Sequence, residues 1–316
     1  MLLVRFMYGL GNQMFQYAFG RSLEKRSGLT VKFDKSWYEE KKQWQKKTGL
    51  SDGCQIRDYK LGFFPNLTPN FATPEEIQEA NTRNWPPYKE LIANVSRRTG
   101  FLRVQYLLGY LRAPSDYSSY DESMFRVNPA KDYCYKGFFQ NERYFHDISD
   151  DLRHDFTFPQ ATDSFNTEYG ERISCQNNAV CLHVRRGDYA AMGWTLPLDY
   201  YGRALSLLRE RIENPFVYLF GDGAVEVAGH LFPNSSQGYE IIPPHNAKTN
   251  QDYRDMQLMS LCQHFIIANS TFSWWAAWLG AGMNSEVFAP KPFIQNKSDI
   301  ICPHWHPVEY NPSSRP

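Results

Sequence analysis

The sequence predicts an α/β protein of two domains, each built on a parallel sheet flanked by helices, facing across a cleft. Three observations predict it. A glycine-rich turn, Gly9–Leu10–Gly11, joins the first apolar run to a helical stretch. From Ala179 to Ala289, short apolar runs alternate with helical stretches. Polar residues suited to a ligand fall at the ends of these runs in both halves of the chain. Such alternation implies parallel strands joined by crossover helices. The expected domains are residues 1–165 and 166–316, divided in the polar stretch around Gln160–Asn178.

Leu2–Met7 reads as the first strand and Asn12–Ser27 as a helix, with Phe15, Phe19 and Leu23 at i, i+4 spacing. Gly28 suits the residue just past the helix end. Thr30–Phe33 is a second strand, ending at Asp34. The glycine turn therefore feeds a helix N-terminus, whose free backbone N–H groups favour an anion. From Lys35 to Ala130, aromatics scatter among Lys, Arg, Asn and Pro, and only a helix over Ala93–Leu108 is expected. Tyr133–Gly137 then reads as a strand and Asn141–Phe156 as a helix.

Beyond the polar stretch come a strand at Ala179–Val184 and a helix at Pro197–Arg211, with proline at the start where its missing N–H does no harm. Strand Phe216–Phe220 closes on Gly221–Asp222–Gly223 and leads into helix Ala224–Leu231. Strand Glu240–Ile242, helix Asp252–Cys262 and strand His264–Ala268 follow. Loop Asn269–Thr271, helix Phe272–Leu279 and a last strand, Glu286–Ala289, complete the pattern. Trp274, Trp275 and Trp278 read as core rather than as a sugar platform.

The 316 residues carry 34 basic and 34 acidic side chains, so net charge near zero exerts no global pull on nucleic acid or anionic lipid. No apolar run approaches the roughly 18 residues that span a bilayer, and the N-terminus is interrupted too early for a secretory segment. Six dispersed cysteines without a CxxC fit a reduced cytosolic protein, with Cys181 and Cys262 as buried thiols. Peripheral contact with the cytoplasmic face of the inner membrane is compatible with this, though no basic amphipathic helix demands it.

The richest segment is Ala179–Tyr189, AVCLHVRRGDY. A buried strand rarely finishes on adjacent arginines, because guanidinium groups cannot be deprotonated and are costly to desolvate unpaired. At the carboxyl end of a strand in an open α/β sheet, such a pair suits an anion, and its planar donor fork matches phosphate oxygens. The bland alternative is a salt bridge from Asp188 to Arg185 or Arg186. Three further strand ends carry suitable residues: Gly9–Gln13, Gly221–Gly223 and Asn269–Ser273. Each has a structural reading too, as a tight turn or an N-cap, but their common placement favours a ligand site. No GxxxxGK[ST] loop, G-x-G-x-x-G after a strand, Asp-x-Asp pair or zinc-ligand spacing is present. An enzyme that neutralises a diphosphate leaving group without a metal would use arginine, hydroxyl and backbone donors. Arg185, Arg186, Ser270, Thr271 and the Asn12 region supply that set.

AVCLHVRRGDY, GLGNQMFQYAFGRSL and DMQLMSLCQHFIIANSTFSWWAAWLG resemble the signatures of glycosyltransferase family 11, the α-1,2-fucosyltransferases, particularly bacterial ones. KGFFQNERYFHDISDDLRHDFTF is similar to the central segment of that family. The resemblance is weakest from Ser36 to Tyr133, where acceptor contacts would lie. It implies two Rossmann-like domains facing across a cleft, the GT-B-like arrangement, with GDP-fucose held mainly by the C-terminal domain and the acceptor on the N-terminal side. Fucose would pass from GDP-β-L-fucose to the 2-hydroxyl of a terminal β-galactose, with inversion and with neither metal nor cofactor. Arg185 and Arg186 match the arginines that grip the diphosphate, and His183 the histidine beside them. Asn269, Ser270, Thr271 and Phe272 match a loop that touches phosphate and sugar, and Gly9, Gly11, Asn12 and Gln13 one that closes over the donor. Asp255 sits where related enzymes place a carboxylate on guanine, or is a helix N-terminal acid favoured by the macrodipole. Bacterial relatives usually carry two acids where this chain has Gly221–Asp222–Gly223, which leaves the role of Asp222 open. Tyr8–Gly9 replaces the usual glycine pair. Asp188 is the candidate general base, or else it orients Arg186. The alternative activity is transfer from another nucleotide sugar by the same architecture.

Overall fold

The computed structural model describes residues 1–49, 58–83, 111–116, 118–234, 237–294 and 299–311. The helix expected over Ala93–Leu108 lies outside the described residues. Two compact units divide the chain between Thr157 and Phe158.

In the first unit, β1 (Leu2–Arg5) lies between β2 (Val31–Asp34) and β4 (Tyr133–Tyr135), and β3 (Leu111–Arg112) forms the far edge. Every pairing is parallel, with Leu2 opposite both Val31 and Tyr133. Helix α1 (Leu10–Ser27) crosses from β1 to β2 and is buried almost all round. Phe19 stacks on Phe139 with ring centroids 3.9 Å apart. Gly28 ends the helix at φ 66°, its N–H donating to Glu24 O at 2.9 Å. Helices α2 (Ser36–Thr48) and α3 (Pro74–Arg83) occupy a stretch in which the sequence pattern showed no element.

The single helix expected over Asn141–Phe156 is not formed. Short 3-10 turns at Glu142–Tyr144 and His146–Ile148 precede α4 (Ser149–Asp155). The apolar spacing suits a helix, but Asn141 turns its side chain onto the Arg143 N–H, and Phe145 at φ −144° leaves the helical region. Local side-chain capping competes here with helix propagation.

The second unit holds a six-stranded, wholly parallel sheet in the order β10-β9-β8-β5-β6-β7. Its opening helix, α5 (Ser164–Cys175), fills the polar stretch read as a boundary; Asp163 caps it by accepting from the Asn166 N–H at 2.9 Å. The strands are β5 (Ala179–Val184), β6 (Phe216–Gly221), β7 (Tyr239–Ile241), β8 (His264–Ile266), β9 (Val287–Lys291) and β10 (His306–Glu309). Glu286–Ala289 is thus not the last strand, since β10 pairs with β9 at the sheet edge. Between strands run α6 (Gly187–Ala191), α7 (Leu198–Arg209), α8 (Ala224–Leu231), α9 (His245–Lys248), α10 (Tyr253–Ser260) and α11 (Thr271–Gly280).

Every residue of β5 is buried, as a strand covered on both faces requires. Its core cluster includes Leu182, Tyr200, Leu205 and Val227, drawn from β5, α7 and α8. Helix α11 buries Trp274, Trp275 and Trp278, and Trp274 Nε1 donates to Ile300 O at 2.8 Å, so these rings are core. Renumbered from β5, the strand order is 3-2-1-4-5-6, the order of dinucleotide-binding sheets. Connections leave β5 toward one edge and return at β8 toward the other. The gap between β5 and β8 is where the order reverses.

Candidate functional site

Open α/β sheets bind ligands outside the carboxyl ends of strands where the order reverses. At that point β5 delivers His183, Arg185 and Arg186, and the segment after β8 delivers Asn269 and Ser270. Thr271 and Phe272 open α11, and the Ser270 hydroxyl caps the helix by accepting from the Phe272 N–H at 3.3 Å. A helix N-terminus so placed directs partial positive charge at whatever binds there. The His183 and Phe272 rings lie 6.0 Å apart.

Each arginine has its own carboxylate. Arg185 Nη2 lies 2.7 Å from Asp188 Oδ1, and Arg186 Nη2 lies 3.0 Å from Glu226 Oε1. Asp188 therefore orients Arg185, not Arg186. Asp222 accepts the Arg186 backbone N–H at 2.7 Å, so its carboxylate holds the main chain just past β5. Tight packing of the β5 and β6 ends makes this bond reachable. Gly221 has φ +99°, and a Cβ there would sit 1.9 Å from Val184 O; at Gly223 a Cβ would sit 2.6 Å from Arg186 Cγ. Only glycine fits between these two strand ends.

Four polar atoms at this place are buried without a hydrogen-bond partner among the described residues: Arg185 Nε, Arg186 Nε, His183 Nδ1 and Asn269 Oδ1. Buried polar groups are ordinarily satisfied, because an orphaned one carries its full desolvation cost of about 1–3 kcal/mol. Three of the four belong to one short segment of chain. Burial and the Arg185 charge push the His183 pKa down to about 3, so its ring is neutral. With one ring nitrogen unprotonated, neutral imidazole both donates and accepts.

Asp255 belongs to a different network, at the start of α10. Asn246 Nδ2 donates to Asp255 Oδ1 at 2.6 Å and exchanges side-chain hydrogen bonds with Asn166. Burial, partly offset by Asn246, pushes the Asp255 pKa up to about 6.

In the first unit, Gly9 caps α1, and its carbonyl accepts from the Asn12 and Gln13 N–H groups at 3.0 and 3.1 Å. Gly11 is buried in that first turn, and Asn12 Oδ1 accepts from Gln140 Nε2 at 2.7 Å. Gln13 is fully buried. Its amide nitrogen donates to Tyr8 O and Asp58 O, both at 2.9 Å, and its oxygen accepts from the Lys60 N–H at 2.8 Å. Gln13 braces the loop from beneath.

Sequence reasoning passed over Tyr189, Trp194 and Glu226. The Tyr189 ring centroid lies 5.6 Å from the Arg185 guanidinium carbon, and its hydroxyl donates to Asn269 O at 3.3 Å. Asn269 Nδ2 donates to Trp194 O at 2.8 Å. Glu226 could have been found, because it lies one turn into a helix that follows a strand end. Tyr189 closes the motif AVCLHVRRGDY beside Arg185, but the hydrogen bonds that join Tyr189 and Trp194 to Asn269 span about 80 residues of chain and leave no local signal.

No helix among the described residues is long and apolar enough to cross a membrane. The O-antigen biosynthesis glycosyltransferase WbnK of Escherichia coli is 27% identical over 315 residues, which cover 94% of this chain and 97% of that protein. An Escherichia coli α-1,2-colitosyltransferase is 33% identical over 186 residues, 55% of this chain and 61% of its own length. Galactoside α-(1,2)-fucosyltransferase 2 of Rattus norvegicus is 26% identical over 138 residues, 40% of this chain and 38% of that enzyme. Among solved structures, the fucosyltransferase NodZ from Bradyrhizobium aligns over 87% of this chain and 91% of its own, at 14% identity and TM-score 0.48. The profile of glycosyl transferase family 11 matches residues 110–309, a span that contains β5, the arginine pair and the α10–α11 segment. The chain belongs to glycosyltransferase family 11 and is a glycosyltransferase.

Proposed function

We propose that this glycosyltransferase moves L-fucose from GDP-β-L-fucose to the 2-hydroxyl of a terminal β-galactose, inverting the anomeric centre without a metal. The observation that carries the reading is the adjacent pair Arg185 and Arg186, each with a buried, unpartnered Nε, at the reversal of strand order in the second unit. A departing diphosphate supplies the acceptor oxygens these donors lack. Charge grows on it as the bond to fucosyl C1 breaks, so donors fixed in advance bind the transition state more tightly than the ground state. Asp188 and Glu226 fix the two guanidinium groups, and Asp222 fixes the chain between them. The α11 N-terminus and the Ser270 and Thr271 hydroxyls complete the anion cradle, with Asn269 and Phe272 beside the sugar. Neutral His183 offers one further hydrogen bond, and Asp255 holds the guanine edge.

In the first unit, Gly9, Gly11 and Asn12 shape the loop over the donor, with Gln13 positioning it from below. Arg185 already engages the Asp188 carboxylate at 2.7 Å, which favours Asp188 as a positioning residue for Arg185. The protein works in the cytoplasm, a placement supported by free thiols at Cys134, Cys175, Cys181, Cys262 and Cys302.

The 33%-identical relative favours a second reading, a colitosyl rather than a fucosyl donor. Incubation with GDP-fucose and a panel of β-galactosides, with the product linkage read by NMR, decides the matter. An α-1,2-fucosylated product is expected. Absence of any fucosylated product removes the fucosyl reading.

A further inference from the structure

We propose that Tyr8, Trp37 and Phe138 form a saccharide platform at the carboxyl edge of the first unit's sheet, on which the acceptor galactose stacks by its C–H face. The inference rests on the fucosyltransferase reading for its acceptor and deepens it by naming the surface that takes that sugar.

Tyr8 follows β1 and has φ 65°. That left-handed region suits glycine and is a genuine outlier for a bulky side chain. Such strain persists only where the surroundings enforce it, and it gathers at functional sites. Here Gln13 Nε2 and the Tyr38 hydroxyl both donate to Tyr8 O, at 2.9 and 3.2 Å. Glycine would adopt this backbone without strain, so the ring itself needs a reason.

The ring gathers two others. Its centroid lies 5.0 Å from that of Trp37 and 5.1 Å from that of Phe138, at interplanar angles of 39° and 31°. The three come from the end of β1, the first turn of α2 and the end of β4. They lie just past the ends of β1, β2 and β4, which are neighbours in the sheet. All three are half-buried, whereas Phe6, Phe15, Phe19 and Phe139 are fully buried. Core rings close to them lose all contact with solvent; these three residues retain part of theirs.

Beside the rings, α2 and β1 carry a polar edge. Arg5 pairs with Asp34 (Nε to Oδ2, 3.4 Å) and with Glu40, and its Nη2 donates to Ser36 Oγ at 3.2 Å. The Glu40 side chain is 59% exposed. A pyranose presents one face of C–H bonds and an edge of hydroxyls. Flat rings take the first, and a guanidinium with a carboxylate takes the second.

The test is steady-state kinetics of Trp37→Ala, Phe138→Ala and Trp37→Phe with a β-galactoside acceptor. Loss of one stacking ring should raise the acceptor KM about 10-fold. Trp37→Phe, which keeps a flat face, should restore it to within about threefold, and the KM for GDP-fucose should stay within about twofold of the parent. Unchanged acceptor KM in folded alanine variants overturns the platform, as does a donor KM that rises in parallel, which would assign the rings to the nucleobase.

Saturation-transfer NMR on the parental protein with methyl β-galactoside does not depend on the variants folding. Irradiating aromatic protons should enhance the sugar protons of one face, and no enhancement overturns the proposal. The two readings also fail separately. Enhancement without fucosyl transfer removes the activity and keeps the platform; transfer with unchanged acceptor KM in the folded variants removes the platform alone.

Discussion

Asp255 is half-buried and His183 buried, and desolvation moves their pKa values in opposite directions. Asp255 titrates near pH 6 in the folded chain, against about 4 when unfolded. Between those values the folded state holds a proton that the unfolded state has released, so this group makes stability fall as pH rises through the window. If the carboxylate accepts from guanine it must be ionised, and calorimetric affinity for GDP should strengthen from pH 5 to pH 7. Asp255→Asn should weaken GDP binding about 10- to 100-fold and abolish that dependence; a retained dependence would place the titrating group elsewhere. His183, neutral above about pH 3, should contribute no limb to the pH–rate profile near neutrality. Gly221 is the residue whose backbone decides most. Gly221→Ala should lower stability by more than about 1 kcal/mol, because the native φ is positive and a Cβ meets Val184 O. Thermal unfolding followed by circular dichroism reads that loss.

Among the secondary-structure elements, the proposed anion cradle is the junction of two whose termini were legible in advance. The β5 strand and its arginines are contiguous, and NSTFS states its own N-cap. Ser270→Ala should cost about 1 kcal/mol of stability through the lost cap. It should lower kcat/KM for the donor by more than that energy implies, because the α11 N-terminus shifts with it; equal losses would make the cap purely structural. What the sequence concealed were elements with weak periodicity. Helix α5 buries little beyond Asn166 and Ile173, so its apolar stripe hardly shows. Strand β10 is an edge strand with a proline and one buried residue, Val308, and so lacks alternation. The helix expected over Asn141–Phe156 had the right spacing but the wrong caps.

At the scale of the whole molecule, strand order carries the functional argument. The alternation after Ala179 made a parallel sheet legible, but the reversal between β5 and β8 is a property of topology that no local pattern states. The arginine pair was legible because adjacent guanidinium groups at the end of a buried strand are chemically conspicuous. Their partners were less so: Glu226 lies 40 residues from Arg186, and Asp222 acts on a backbone N–H rather than a side chain. The ring cluster around Tyr8 was hidden because its members are scattered along the chain. On the proposed reading, the protein should prefer GDP to UDP or ADP by at least about tenfold in a calorimetric comparison. Equal affinities would indicate recognition of the diphosphate without the base.

On the proposed reading, two fixed guanidinium groups stabilise a diphosphate as it leaves its sugar. Turnover of GDP-fucose by Arg185→Ala and Arg186→Ala, with and without EDTA, tests it most directly. Each variant should lose about 10²–10³ in kcat, while the parental rate should be indifferent to the chelator. Near-parental rates in both variants, or a parental activity abolished by EDTA, would contradict it.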